Sequence, residues 1–521
     1  MPSGPPLNFP DFTGGLNVLD SPHLLKDNQC REVSNVQGST AGAIGKRTGL
    51  TTFATPAGVL NSLIACEATP VSALVGATGT TLVSVNAAGT VSTIKTGVTA
   101  GAHWEGLPAP SKGGQGPLYL MNGVDAPQQW TGAAAGTATG NWTATSGAVA
   151  VPNGKYCTQA GEQMYVTGAA ADPYCVYVSA LGDPTVWDPS ITPDATHTTG
   201  GANSFQIDPM DGQPMTAIGR VGPYVLVCKS RKTYVVISPG SSATGDYTNI
   251  RRISDSIGCI SNRSIASGAR GTYFLSEGRG VYLTNGSTVT PVSDKILPLL
   301  AQAGAEAKNA CGFYFNGHYY LSISSTGNPP NDITLDYDEV LQSWWKHSFG
   351  SSEFVAWHPA TTPALFSAKS TAAVVDQCFV PNVYTDNGSN FTWTWKGPWQ
   401  SPSFYRRRMY PSTWYRKRLR QIRLEGFGTV DYYLAKDFVT TEALIRQNIF
   451  PGTLQGLTTF GGPGVFGGAG TFGGGGPVGR ADFFSLGVAH AFSQVFSATS
   501  STQDMLLAYT LALTDRVDRW D

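Results

Sequence analysis

A chain of 521 residues with 62 glycines and 33 prolines but only 13% charged side chains departs from an ordinary soluble domain, where about a quarter of residues carry charge, and this composition argues against a helical enzyme. Thirty-four basic residues against 35 acidic ones leave a formal net charge of −1, which excludes bulk attraction for nucleic acid or an anionic membrane and makes any such attraction local. The length allows two to four ordinary domains, or fewer where one all-β unit takes up well over ~200 residues.

The opening run MPSGPPLNFP has neither the cationic start nor the apolar stretch of a secretory signal. No segment approaches the ~18 consecutive apolar residues of a membrane helix, so synthesis in a cytoplasm and no membrane insertion are expected. The eight cysteines, Cys30, Cys66, Cys157, Cys175, Cys228, Cys259, Cys311 and Cys378, stand singly, never at the two-residue spacing of a zinc or redox motif. Reduced, mostly buried thiols are the expectation.

Residues 1–59 read as an N-terminal arm and first strands. From about Leu60 one texture recurs: four to six residues rich in Val, Ile, Tyr, Thr and Ser, a Gly, Asn or Asp with Pro, then another such run. That is the pattern of short strands joined by tight turns. Ala73 to Ile94 predicts three strands with turns at Thr78-Gly79 and Ala88-Gly89. Leu118 to Met121 and Pro127 to Trp130 flank Asn122-Gly123, a pair suited to the two positive-φ positions of a type I′ turn. Tyr224 to Lys229 pairs with Thr233 to Ile237, and Thr272 to Leu275 with Val281 to Thr284. Asn285-Gly286 leads into Val289 to Val292. Asp294 to Ala307 is the best helix candidate. Phe313 to Phe315, Asn316-Gly317 and His318 to Ile323 repeat the hairpin, followed by Ile333 to Tyr337 and Ser343 to His347.

The period, roughly 40 to 55 residues, is that of a four-stranded propeller blade. Such short two-sided sheets bury their faces by stacking on one another. The pattern therefore predicts an all-β fold, a β-propeller of about six blades over residues 60–380, with a pair of packed β-sandwiches as the competing arrangement. Residues 381–521 predict an additional C-terminal β-domain.

That domain begins with dense aromatics in FTWTWKGPWQSPSFY, Phe391 to Tyr405. Arg406, Arg407, Arg408, Arg416, Lys417, Arg418, Arg420 and Arg423 follow with no acidic residue among them. Ile422 to Leu434 reads as two strands around Gly426 to Gly428. The glycine-rich segment Gly452 to Gly479, with Phe460, Phe466 and Phe472 six apart, cannot build a packed core, because glycine has no side chain and the greatest backbone entropy. It reads as a long loop, or as an arm ordered against a neighbour. Phe483 to Thr514 alternates again as strands.

Catalytic signals are sparse. Asp336, Asp338 and Glu339 cluster in TLDYDEVLQSWWKH, with Trp344 and Trp345 available as a sugar platform, but a glycosidase needs carboxylates paired around a sugar. An acidic turn beside core tryptophans accounts for the same residues. The seven histidines never fall at the i, i+4 spacing of a zinc helix, although His318 and His347 could approach in space. Neither a nucleophile elbow nor a Walker loop occurs. An acidic loop such as Asp208 to Asp211 raises the question of a bound ion. No catalytic residue, cofactor or metal is expected. The arginine-rich stretch is the strongest local signal: forked guanidinium donors suit phosphate, with Tyr410, Trp414 and Tyr415 interleaved. The alternative is pairing with acidic groups of an adjacent subunit.

The run Tyr177 to Ile296, containing YVSALGDPTVWD, DPMDGQPMTAIGRVGPYVLVCKSRKTYVVI and IRRISDSIGCISNRSIASGARGTYFLSEGRGVYLTNGSTVTPVSDKI, resembles the tail hub, tail nozzle or packaged-DNA stabilisation proteins of short-tailed bacteriophages. Phe12 to Leu50 is similar to their opening, with matching positions Gly14, Gly15, Leu16, Asn17, Leu25, Gln29, Asn35, Lys46, Arg47 and Gly49. YRKRLRQIRLEG and SQVFSATSSTQDMLLAYTLAL extend the likeness. The glycine-rich segment has no counterpart in it.

The resemblance implies a non-enzymatic β-propeller protein of the virion tail, made in the host bacterial cytoplasm. By resemblance, six copies form a ring below the portal and head–tail adaptor, contact other tail proteins, retain packaged double-stranded DNA in the lumen and conduct it during ejection. Eight basic residues per copy all facing the channel would grip DNA too strongly, so only some are expected there. A tail-tip or receptor-binding protein and a propeller glycosidase are the alternative readings.

Overall fold

A computed structural model describes the chain except for residues 1–6, 10, 69–70, 109–116, 133–138, 145–147, 191–201, 238–248, 279, 401, 404–409, 412–415, 439–440, 451–478, 490 and 517–521. The described residues are nearly all-β, in many small sheets. The chain divides into two compact units. The larger holds Thr52–Asp336 and Phe349–Cys378; the smaller holds Met1–Thr51, Tyr337–Ser348 and Phe379–Asp521. N-terminal residues therefore share a unit with the C-terminal region.

Seven four-stranded sheets follow one another. Sheet 1 is Ser62–Ala68, Val71–Thr78, Thr81–Asn86 and Val91–Thr96; sheet 2 is Glu105–Pro108, Leu118–Met121, Gln128–Trp130 and Thr139–Asn141. Sheet 3 is Tyr156–Ala160, Gln163–Thr167, Cys175–Val178 and Asn203–Gln206; sheet 4 is Met215–Val221, Tyr224–Lys229, Thr233–Val236 and Ile250–Ser254. Sheet 5 is Ala266–Ser267, Thr272–Ser276, Gly280–Thr284 and Val289–Pro291; sheet 6 is Cys311–Phe315, His318–Ile323, Ile333–Asp338 and Ser343–His347. Sheet 7 takes Ser351–Trp357, Ala364–Lys369 and Val375–Val380 together with Gly49–Ala54. The sequence pattern counted about six such units. Seven fit the same span because a period that varies between roughly 40 and 55 residues does not fix the count, and the seventh completes itself from outside the counted region.

The first strands of the sheets pack against one another in order. Ser62–Ala68 meets Glu105–Pro108, and Tyr156–Ala160, Met215–Val221, Ala266–Ser267, Cys311–Phe315 and Ser351–Trp357 follow in turn. Ser351–Trp357 then meets Ser62–Ala68 again.

Strand alternation explains how each sheet serves two neighbours. Successive side chains point to opposite faces, so a strand between two neighbours must be apolar on both. Gln163–Thr167 and Thr272–Ser276 are buried at every position. Leu118 and Leu120 join the core between sheets 1 and 2, whereas Tyr119 and Met121 join that between sheets 2 and 3. Val225 and Val227 face sheet 3, while Leu226 and Cys228 face sheet 5. Fourth strands are less covered: Asn203–Gln206 and Ile250–Ser254 contain no buried residue.

Turn chemistry separates the two Asn-Gly pairs. Asn316 (φ 50) and Gly317 (φ 85) both occupy left-handed backbone between the paired Phe315 and His318, a true two-residue I′ hairpin. At Asn122-Gly123 only the glycine has positive φ. Asn122 Oδ1 instead accepts hydrogen bonds from the backbone N–H groups of Val124 and Asp125 at 2.9 and 2.7 Å, an Asx turn opening a longer loop. The predicted helix shrinks to one turn, Leu297–Ala301, between 3-10 segments Asp294–Ile296 and Gly304–Asn309; Gly304 at φ 51 breaks it.

Among the described residues the smaller unit contains two large sheets and two two-stranded ones, Gly15–Leu16 with Gln29–Cys30 and Pro402–Ser403 with Tyr410–Pro411. One large sheet runs Gly479–Ala489, Arg416–Phe427, Met505–Arg516, Ile44–Lys46 and Val36–Gly38, with Leu7–Phe9 also paired to Met505–Arg516. The other runs Glu32–Ser34, Phe391–Lys396, Phe492–Ser500, Asp431–Lys436 and Ala443–Arg446. Aromatic residues join them: Tyr509 lies 6.1 Å from Phe496 and 6.4 Å from Trp395 between ring centroids, and stacks on Phe9 at 4.6 Å.

Candidate functional site

The arginine-rich stretch is a strand for much of its length. Arg406, Arg407 and Arg408 lie outside the described residues. Arg416, Lys417 and Arg418 begin the strand Arg416–Phe427, but their side chains also lie outside the description. That strand sits between Gly479–Ala489 and Met505–Arg516, with Leu419, Ile422 and Leu424 in the core. Arg420 is exposed. Arg423 is bound within the same chain: its Nε donates to Asp482 Oδ1 at 2.9 Å, and Gln421 Nε2 donates to the same oxygen at 3.2 Å. Arg420 and Arg423 thus lie on the outward side of an amphipathic strand, and Arg423 has an acidic partner of its own.

The acidic–tryptophan cluster is packing. Trp344 and Trp345 are buried, so neither can serve as a platform for sugar. Asp336 is fully buried, with Oδ1 2.8 Å from His318 Nδ1. Asp338 Oδ1 caps the backbone N–H groups of Val340 and Leu341 at 2.8 and 2.9 Å, turn chemistry of the ordinary kind.

The loop Asp208 to Asp211 is served by protein cations. Lys229 Nζ lies 2.7 Å from Asp211 Oδ1, and Lys232 Nζ 2.9 Å from Asp211 Oδ2. Tyr234 Oη donates to Asp208 Oδ2 at 2.7 Å. Burial pushes the Asp211 carboxyl up, but the hydrogen bonds from Lys229, the Gln213 N–H and Lys232 outweigh it and hold it at about 2. Among the described residues no group of three or more His, Cys, Asp or Glu side chains is placed to hold a metal ion.

The N-terminal positions singled out by pattern converge in the smaller unit. Arg47 is fully buried and grips Asp386 with two parallel bonds, Nη1 to Oδ1 at 2.9 Å and Nη2 to Oδ2 at 2.5 Å. Its Nε donates to Asn35 Oδ1 at 3.1 Å, and its guanidinium lies over the Phe391 ring at 4.1 Å. Asn35, itself at φ 56, donates from Nδ2 to the Thr392 carbonyl at 2.8 Å. Lys46 Nζ donates to the Ser500 carbonyl and sits over the same Phe391 ring; burial pulls its pKa down to about 8 against the pull of Asp504. Asn17 Oδ1 caps Leu19 and Asp20, while its Nδ2 reaches Gln29 Oε1. Gly49 has no room for a Cβ, which would fall 1.9 Å from the Thr385 carbonyl oxygen. These residues hold the N-terminal segment in place by buried, fully directed bonds.

A different cluster escaped the sequence reading. The first strands of the seven sheets enclose a cavity of about 430 Å³. Into it project His103, Glu105, Arg263 and Glu353. His103 Nε2 lies 3.6 Å from Glu105 Oε1 and 3.6 Å from Glu353 Oε2, and Arg263 Nη1 is 4.0 Å from that second oxygen. Burial drives the Glu353 carboxyl up to about 7; His103 and Arg263 oppose the rise and Glu105 adds to it. Sequence separations of up to 250 residues hide the group, and no local motif marks any member.

No family model matches the chain, and no curated protein matches it. Among solved structures, the extracellular domain of the hybrid two-component system BT4673 of B. thetaiotaomicron is similar at 9% identity over 83% of this chain and 59% of that one, with a TM-score of 0.40. A second structure of that extracellular domain, described as a one-component system, gives 8% identity, 83% and 60% coverage and the same TM-score. The WD40 domain of Neurospora crassa Pan2 gives 8% identity over 64% of this chain and 94% of that one, with a TM-score of 0.34. The chain thus spans about 59% of the length of the BT4673 domain it matches.

Proposed function

We propose that this chain is a structural subunit of a short-tailed phage tail, a nozzle or hub protein built on a seven-bladed β-propeller and working as one copy in a closed ring. The observation that carries the propeller reading is the cycle of first-strand contacts, in which the seventh sheet returns to the first. Completion of that seventh sheet by Gly49–Ala54 supports it, since a strand from before the first sheet ties the two ends of the cycle together. The virion role rests on the sequence resemblance. It is supported by Trp344, Trp345, Asp336 and Arg423, which are committed to packing and internal pairing. Contacts with the head–tail adaptor, other tail proteins and lumen DNA belong to the same proposal.

Mass measurement and particle imaging of the purified protein test it. Symmetric rings, six copies by family resemblance, are expected. A monodisperse monomer that cleaves surface glycan would overturn it in favour of the glycosidase reading, for which Glu105 and Glu353 would be the carboxylates to replace.

A further inference from the structure

The corner of the cavity holding His103, Glu105 and Glu353 has a surplus of acceptors. His103 Nδ1 lies 2.8 Å from the Asn61 carbonyl oxygen. A carbonyl only accepts, so Nδ1 carries the proton, and in the neutral ring Nε2 is left with a bare lone pair. That lone pair faces two carboxylate oxygens, each 3.6 Å away. Glu353 Oε2 is shielded from solvent and accepts no hydrogen bond among the described residues. Of the donors nearby, Asn262 Nδ2 gives one bond to Glu105 Oε1 at 2.7 Å, while Arg263 is engaged outside the corner, with Nη1 on the Ser352 carbonyl at 3.0 Å and Nη2 on the Asn309 carbonyl at 2.8 Å. Arg263 Nη1 lies 4.0 Å from Glu353 Oε2 while bonded to a carbonyl, so the Glu353 charge has no close partner when His103 is neutral and the carboxyl is ionised. Beyond this corner Ile64, Leu107, Ile218, Ile265, Phe313 and Val355 give the cavity wall an aliphatic and aromatic side, with Arg220, Thr158 and Ser267 also lining it.

We propose that this corner is a binding site for a primary ammonium group carried on a short apolar stem. Three acceptors, His103 Nε2 with a carboxylate oxygen 3.6 Å to either side, match in number the three N–H donors of an ammonium, and its charge supplies what the site lacks. The stem lies along the aliphatic wall. A burial-raised carboxylate gains most from such a partner, because an unpaired buried charge is costly. A proton on His103 Nε2 or on Glu353 fills the same need, so proton and ammonium compete.

The test uses the full chain with n-butylammonium as probe, read by calorimetric titration at about pH 8.5, above the value of about 7 to which burial raises the Glu353 carboxyl, and at about pH 5, below it. n-Butanol carries the stem without charge, and n-butyltrimethylammonium carries charge and stem without N–H donors. Saturable binding of n-butylammonium alone, at least about tenfold weaker at the lower pH and in Glu353→Gln, is the expected result. Equal binding of the alcohol or the trimethyl cation, binding unaffected by Glu353→Gln, or no saturable binding into the tens of millimolar overturns the proposal. If Glu353→Gln fails to fold, ligand-observed NMR on the unaltered protein decides by the same three probes and two pH values. The site belongs to one chain, so the outcome does not depend on ring assembly.

Discussion

Arg47 shows what one buried cation does for the smaller unit. With its guanidinium fully buried, bidentate on Asp386 and bonded to Asn35, truncation leaves two groups without their partner. Arg47→Ala is expected to destabilise by about 3–5 kcal/mol, read as a fall in the urea midpoint of the smaller unit's transition, and Arg47→Lys should recover little because a point charge cannot replace the fork. Glu353 acts in the opposite direction. Its carboxyl ionises at about 7 in the folded chain against an ordinary 4.5, so the folded state holds a proton that the unfolded state has released between those values. The stabilisation is fully present below about pH 4.5 and is lost as pH rises through about 7. Its size is on the order of 3 kcal/mol, and Glu353→Gln should remove that part of the pH dependence from unfolding curves measured across the window.

Elements differ in how much their local sequence decides. The hairpin at Asn316-Gly317 is written in two residues, since both need left-handed backbone and both types tolerate it. Gly317→Ala, with open space around the new Cβ, should cost only about 1 kcal/mol of backbone strain. Gly49→Ala places its Cβ against the Thr385 carbonyl, which is backbone and cannot swing aside; loss of folded protein in expression and thermal-melt assays is expected. Nothing beside Gly49 in the sequence foretells that difference, because Thr385 is more than 300 positions away. The strand Arg416–Phe427 makes the same point with charge. Alternation, shifted by a bulge after Leu419, places Leu419, Ile422 and Leu424 in the core and Arg423 beside Asp482.

At the scale of the molecule, contact between first strands requires that each sheet be apolar on both faces. Leu226→Ala, at the core between sheets 4 and 5, should cost about 2–5 kcal/mol, measured by denaturant unfolding of the full chain. For the proposed ring, replacing Arg416, Arg418 and Arg420 by Ser is expected to impair either assembly or genome retention. Intact rings with unchanged retention would remove that stretch from the mechanism. Strand and turn positions could be read from the chain alone, because an alternating apolar pattern and glycine or asparagine turns act over a few residues. The number of sheets, the return of the seventh to the first, the pairing of residues 1–51 with the C-terminal region and the cavity cluster were decided by tertiary structure. Each brings together residues far apart in sequence, and side chains such as His103 and Glu353 acquire their chemistry only from the neighbours that folding supplies.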